Sequence, residues 1–181
     1  RRHLTKWKNN EYVYSYLLRE MKIERCNQVW EIDITYVPMA RGFMYLTAII
    51  DVYSRYIVGW GLSNTLDAAS CLEVLRNAIN QHGKPEIINS DQGSQFTCRQ
   101  YVEYLKTKGI KISMDGKGRA LDNIYIERFW RTIKYQHIHL FPAVDGLSLY
   151  MGIKKWLERY HYRSHQGIDR NKPSTLYLNA A

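Results

Sequence analysis

A chain of 181 residues with 45% hydrophobic and 24% charged residues holds enough apolar material for one domain with a proper core, and its composition excludes a low-complexity or disordered polymer. The apolar run from Phe43 to Ile50 is too short to span a bilayer, so no membrane span is expected. The net charge of +9 is uneven: residues 33–96 hold four Lys/Arg against six Asp/Glu, and residues 97–181 hold fifteen against seven. A polyanion docked along the last half would bring its phosphates toward an acidic centre, with an affinity that falls steeply with salt.

In chain order, residues 1–26 are polar and basic with Tyr12, Tyr14 and Tyr16 interleaved, and they read as a linker or arm. The chain opens on Arg1-Arg2-His3, with neither Met nor an apolar signal segment, so the arm is expected to continue from a missing upstream region. Residues 27–165 carry the regular patterns of a core, and 166–181 read as a C-terminal tail. Val29 to Val37, Gly42 to Asp51 and Tyr53 to Leu62 are rich in Ile, Val, Tyr and Thr and are separated by turn residues, which predicts a three-stranded antiparallel meander. Leu66 to Gln81 repeats apolar residues at helical spacing and stops at Gly83-Lys84-Pro85.

A short strand follows at Glu86 to Ser90. Thr97 to Gln100 has the form of a capping box for a helix running to Lys108, with Gly109 as its stop. A fifth strand is expected at Ile110 to Ser113, then one helix from Leu121 to about His137 and another from Leu147 to Tyr162. The order βββαβαβαα resembles the ribonuclease-H-like α/β fold: a five-stranded mixed sheet, three antiparallel strands then two returned by helices, flanked by helices.

Cys26, Cys71 and Cys98 are odd in number and lack Cys-x-x-Cys spacing, as expected of free thiols in a reducing cytoplasm. His161 and His165 stand four apart, but Tyr162 follows His161 where a zinc-protease signature requires Glu.

Three carboxylates stand out instead. Asp33 interrupts the first strand, Asp91 closes the fourth within Ser90-Asp91-Gln92-Gly93, and Glu127 shares a helix with Phe129 and Trp130. Carboxylates in such surroundings need a compensating charge or hydrogen bonds, and a hard divalent cation would supply it. On the strand, Glu31 and Thr35 share the side of Asp33. On the helix, Ile126, Phe129, Trp130 and Ile133 form an apolar stripe, while Asn123, Glu127, Arg131 and Lys134 form the neighbouring polar face. Lys117 and Arg119, bracketed by Gly116 and Gly118, suit a loop that closes over phosphate. Asp51 and Asp122 are accounted for locally, by a turn and by a helix start.

Asp33 and Asp91 are separated by 57 residues, and Asp91 and Glu127 by 35, with Lys134 seven positions after Glu127. Together with Trp30-Glu31-Ile32-Asp33-Ile34-Thr35-Tyr36, Asp51-Val52-Tyr53-Ser54-Arg55, Ser90 through Phe96, Asp122-Asn123 and Tyr160 through Pro173, this resembles the DDE catalytic core of retroviral integrases and insertion-sequence transposases, of the IS-three type. The resemblance runs from about Tyr14 to Tyr177.

The resemblance implies a DNA transposase core that cleaves transposon ends and joins the exposed 3′-hydroxyls to target DNA. It implies two Mg²⁺ ions, replaceable by Mn²⁺, with Asp33 bridging both, Asp91 holding one and Glu127 the other. Lys134 would touch DNA near the transposon end, in a homo-oligomeric complex, and the upstream region would recognise the ends. Gln136 stands where the family often has Glu, and Arg119-Ala120-Leu121 replaces a cysteine-containing stretch; neither touches the triad. A purely hydrolytic ribonuclease-H-like nuclease and an inactive, domesticated DNA-binding protein are the competing readings.

Overall fold

The computed structural model describes residues 12–116 and 120–179. Its centre is a five-stranded sheet built from β1 (Val29–Pro38), β2 (Phe43–Asp51), β3 (Ile57–Ser63), β4 (Ile87–Ser90) and β5 (Lys111–Met114), in the order β3-β2-β1-β4-β5. The first three strands pair antiparallel, and β4 and β5 join β1 in parallel. The parallel returns need crossovers, supplied by α1 (Ala68–His82) and α2 (Arg99–Thr107). This is the ribonuclease-H-like fold expected from the element order.

Side-chain alternation along each strand divides the core into two layers. Trp30, Ile32, Ile49, Ile88 and Ile112 point to the α1/α2 side and meet Leu72, Leu75, Tyr101 and Leu105. Val37, Leu46, Ala48 and Ile50 point to the other side and meet α3 (Ile124–Ile133) and α4 (Gly146–Tyr162). The apolar stripe predicted for α3 is the one buried: Ile126, Phe129, Trp130 and Ile133.

Several boundaries moved for local reasons. The third strand starts at Ile57 rather than Tyr53, because Asp51 accepts from the backbone N–H of Ser54 (2.8 Å), the Ser54 hydroxyl (2.6 Å) and the Asn27 N–H (2.7 Å). This turn holds Arg55 at φ 63° and postpones strand pairing. The capping box at Thr97 does not form: α2 begins later, Cys98 is its N-cap, and the Thr97 hydroxyl donates to the Gly93 carbonyl at 3.0 Å. Gly109, at φ 64°, is the expected stop.

The single helix expected over 121–137 is three pieces: a 3₁₀ turn (Ala120–Asn123), α3, and a π-helical turn (Lys134–Ile138) marked by the His139 N–H bonding to the Lys134 carbonyl at 3.0 Å. The helix α4 carries a reciprocal Asp145/Ser148 cap.

The flanking segments are also part of the packed body. Leu18 is buried with Val29, Val52 and Ile87, and Tyr16, Met21 and Ile23 pack on them, so the arm is docked from Tyr12 onward. In the tail, a further helix α5 (Pro173–Leu178) buries Tyr177, whose hydroxyl donates to Asn27 Oδ1 at 2.7 Å and whose ring stacks on Tyr56. No described helix is long and apolar enough to cross a membrane.

Candidate active site

The two parallel strands at the centre of the sheet place the first two acids. Glu31 pairs with Asn89 across β1 and β4. Asp33 and Asp91 each lie two residues further on, so alternation brings both to the α3 face where β1 continues and β4 ends. Asp33 is half-buried and Asp91 is exposed in the loop behind β4, with its Oδ1 accepting from the Gly93 N–H at 2.9 Å. A Cβ on residue 93 would lie 2.9 Å from that oxygen, so the loop requires glycine there.

The third acid comes from α3, which is laid along β1 by three rungs. The Ile126 N–H donates to Glu31 Oε2 (2.8 Å), Trp130 Nε1 donates to Asp33 Oδ2 (2.8 Å), and Lys134 Nζ donates to Thr35 Oγ1 (2.6 Å). Two residues of strand advance about 6.6 Å and four residues of helix about 6 Å, so positions 31, 33 and 35 stay in step with 126, 130 and 134. Glu127, exposed on the next position round the helix, is thereby carried to the Asp33 side.

The electrostatics record this convergence. Burial pushes the Asp33 carboxyl up to about 6, against the hydrogen bonds from Trp130 and the Ile34 N–H, and the charges of Asp91 and Glu127 push it the same way as burial. Lys134, whose ammonium is favoured by Asp33, is nevertheless lowered because its desolvation outweighs that attraction.

Beside the triad lies a second polar group that the spacing pattern does not reveal. Glu31, Asn89 and Ser113 are register partners on β1, β4 and β5, all buried on the α3 face. Glu31 is pushed up to about 8, chiefly by burial and despite the Ile126 hydrogen bond. Asn89 Nδ2 donates to Asp115 Oδ1 (2.8 Å) and to the Asp122 carbonyl (3.0 Å), and the Asp115 carboxyl is pushed up to about 7, again chiefly by burial. Ser113 Oγ accepts the Leu17 N–H at 3.0 Å. This row anchors the approach to α3 and the docked arm. Its only sequence signal is Glu31 on the polar side of Asp33.

The residues expected to touch DNA separate into three groups. Arg131 is exposed one turn beyond Glu127, and Lys134 is half-buried over Thr35. Asn123 departs from expectation: it is 4% exposed, with Oδ1 unpartnered in the interior, because the 3₁₀ turn rotates it away from the Glu127 face. Lys117 and Arg119 lie outside the described residues.

Among the described residues no three His, Cys, Asp or Glu side chains already stand at metal-ligand spacing. The donor chemistry nevertheless fits a hard cation. All three acids offer oxygen, Asp33 is partly dehydrated and raised by its two neighbours, and no salt bridge among the described residues involves any of them.

A family model described as "Integrase core domain" matches residues 24–120, and a second model of the same description matches 108–173. The chain is 35% identical over 151 residues to the transposase of insertion sequence IS904 from Lactococcus lactis, covering 81% of this chain and 60% of that protein. It is 34% identical over 115 residues to transposase InsF of insertion sequence IS3A from Escherichia coli, covering 62% and 40%. The chain therefore spans roughly half the length of these curated relatives.

Among solved structures, the HTLV-2 integrase catalytic core domain in complex with magnesium (dimeric form) superposes with TM-score 0.67 at 18% identity, covering 84% of this chain and 97% of that one. A chain of the simian T-cell lymphotropic virus intasome in complex with a PP2A regulatory subunit superposes with TM-score 0.74 at 16% identity, covering 93% and 61%.

Proposed function

The chain belongs to the integrase core domain family, and from that premise we propose that it is the catalytic core of a DDE transposase of the IS-three type, cutting DNA at transposon ends and joining the freed 3′-hydroxyls to target DNA. The observation that carries this reading is the shared face of β1, β4 and α3, where the Asp33 carboxyl feels both Asp91 and Glu127.

In this reading Asp33, Asp91 and Glu127 hold Mg²⁺, or Mn²⁺ in its place. Bound there, divalent ions supply Lewis-acid activation of the attacking hydroxyl and charge stabilisation of the leaving 3′-oxygen. The protein's own part is positioning. Trp130 holds one oxygen of Asp33, and the Gly93 amide orients Asp91. The Glu31 contact sets the height of α3 and thereby of Glu127. Lys134 and Arg131 present cations beside the acids for phosphate, while the paired Thr35 hydroxyl keeps the Lys134 stem folded over β1. The working unit is a homo-oligomer that holds two DNA ends together.

The test is strand transfer with labelled donor ends and Mg²⁺. Asp33→Asn, Asp91→Asn and Glu127→Gln are each expected to abolish joined product while DNA binding persists. An Asp33→Asn variant that still joins ends refutes the assignment, and wild-type protein that cuts but never joins identifies a hydrolytic nuclease instead.

A further inference from the structure

Beyond the carboxylates, α3 leads into a cleft of about 790 Å³ whose walls come from the π-helical turn and the last turns of α4. Tyr135, Gln136, Trp156, Arg159, Tyr162 and Arg163 are among its lining, and no acidic side chain of the described residues is. Tyr135 and Tyr162 are 69% and 65% exposed, more than aromatic residues retain in an interior. Arg163 Nη1 donates to Gln136 Oε1 at 3.2 Å, which ties the two walls together, and burial lowers the basicity of His137, with the like charge of Arg159 adding to it.

The path from the acids to this cleft is continuous. Glu127 and Arg131 lie about one turn apart on α3, and Tyr135 follows four residues later in the π-helical turn. A strand whose scissile phosphate rests at Glu127 passes Arg131 and then reaches the cleft about 12 Å on. There the guanidiniums match phosphate and the open tyrosine faces match unstacked bases.

We propose that this cleft is a binding groove for the single-stranded segment of DNA next to the reacting phosphate, with Arg159 and Arg163 on its backbone and Tyr135 and Tyr162 stacking its bases. The inference rests on the strand-transfer reading but concerns binding alone. Charge complementarity selects the occupant: the lining is cationic and acid-free, within the part of the chain that carries fifteen basic residues against seven acidic ones. An unpaired strand fits better than a duplex, because stacked base pairs offer no free faces to the tyrosines.

The experiment is equilibrium binding of matched single-stranded and duplex oligonucleotides to the full chain in EDTA, across a range of salt, so that no chemistry contributes. Arg159→Ala with Arg163→Ala is expected to weaken single-strand binding and to flatten its log–log salt slope by about 1.4, the value for two lost phosphate contacts. Tyr135→Ala with Tyr162→Ala is expected to weaken single-strand binding by about tenfold or more at unchanged slope, with a smaller effect on duplex. Unchanged single-strand affinity in both variants overturns the proposal. A variant that alters only the sedimentation of the protein also overturns it, by making the cleft a surface for another protein.

A second measurement needs no variant. Single-stranded DNA carrying 5-iododeoxyuridine, photocrosslinked to wild-type chain, should label peptides containing Tyr135 or Tyr162; crosslinks confined to other peptides overturn the assignment. The two readings fail separately: protein that binds through the groove yet never joins ends refutes only the catalytic reading.

Discussion

The two faces of the central sheet both carry an apolar layer, but they differ along β1. On the α1/α2 side the sheet presents Trp30, Ile32, Ile49, Ile88 and Ile112 to helices that answer with Leu72, Leu75 and Leu105. Area removed from water stabilises that layer, and apolar side chains of similar volume would serve it. On the α3 side, β1 presents Glu31, Asp33 and Thr35 in succession, and the helix answers each with one hydrogen bond. Burying carboxylates there costs stability, as the raised Glu31 and Asp33 carboxyls record. Both faces contribute apolar core, but along β1 the second gives up part of that stability to keep polar side chains buried under α3.

The sharpest way to break this comparison is to remove one acid from the costly face. Asp33→Asn should lower strand transfer by about a thousandfold or more, the loss expected when metal-assisted charge stabilisation of several kcal/mol disappears, and should leave thermal stability equal or raised. Parallel melting and strand-transfer assays check both halves.

The converse belongs to the other face. Leu75, fully buried among α1 and sheet residues, should cost about 2–5 kcal/mol when cut to Ala, read as a lowered denaturant midpoint, with strand transfer intact at a temperature where the variant is folded.

Glu31 sits between these cases. Glu31→Ala leaves the Ile126 amide buried without its acceptor and should cost about 1–3 kcal/mol by denaturant titration. Glu31→Gln keeps an acceptor oxygen and removes the charge that burial resists, so above about pH 8 it should be no less stable than wild type. A Gln variant as unstable as the Ala variant would show that the charge, not the acceptor, holds α3.

The smallest expected effect lies in the aromatic cluster joining α4 to α5. His161 accepts the Ile57 N–H at Nε2 (3.1 Å) and stacks on Tyr56, and burial lowers it to about 4. The unfolded chain takes up this proton near pH 6.5 and the folded protein only near 4, so the stabilisation is full above pH 6.5 and is lost as pH falls toward 4. Denaturant titrations at pH 7.5 and 5 should differ by about 2 kcal/mol on this account, and His161→Gln should remove most of that difference.

The candidate acids are legible because they are written in residue types at fixed spacing. Asp33, Asp91 and Glu127 stand out as carboxylates among apolar neighbours, and the apolar stripe of α3 predicts which side of that helix turns inward. Less legible was anything that depends on where a helix begins and ends. One helical period puts Asn123 beside Glu127, but it runs back through a segment that is a 3₁₀ turn, and the Thr97-to-Gln100 capping-box spacing falls one residue short of the actual N-cap, Cys98. The docking of the arm and of Tyr177 was likewise hidden, since polar and aromatic segments at the chain's two ends carry no period that announces what they pack on.

The sequence by itself determined the strand and helix order, the acids, and the basic character of the last half, because alternation, helical period and charge are local properties. Only the tertiary structure decided that β1 and β4 are neighbours in register, that α3 runs in step with β1, and that Arg159, Arg163 and two tyrosines enclose a cleft beyond the acids. Those are relations between segments distant along the chain, and they exist only once the packing of the whole sheet has fixed each segment against the next.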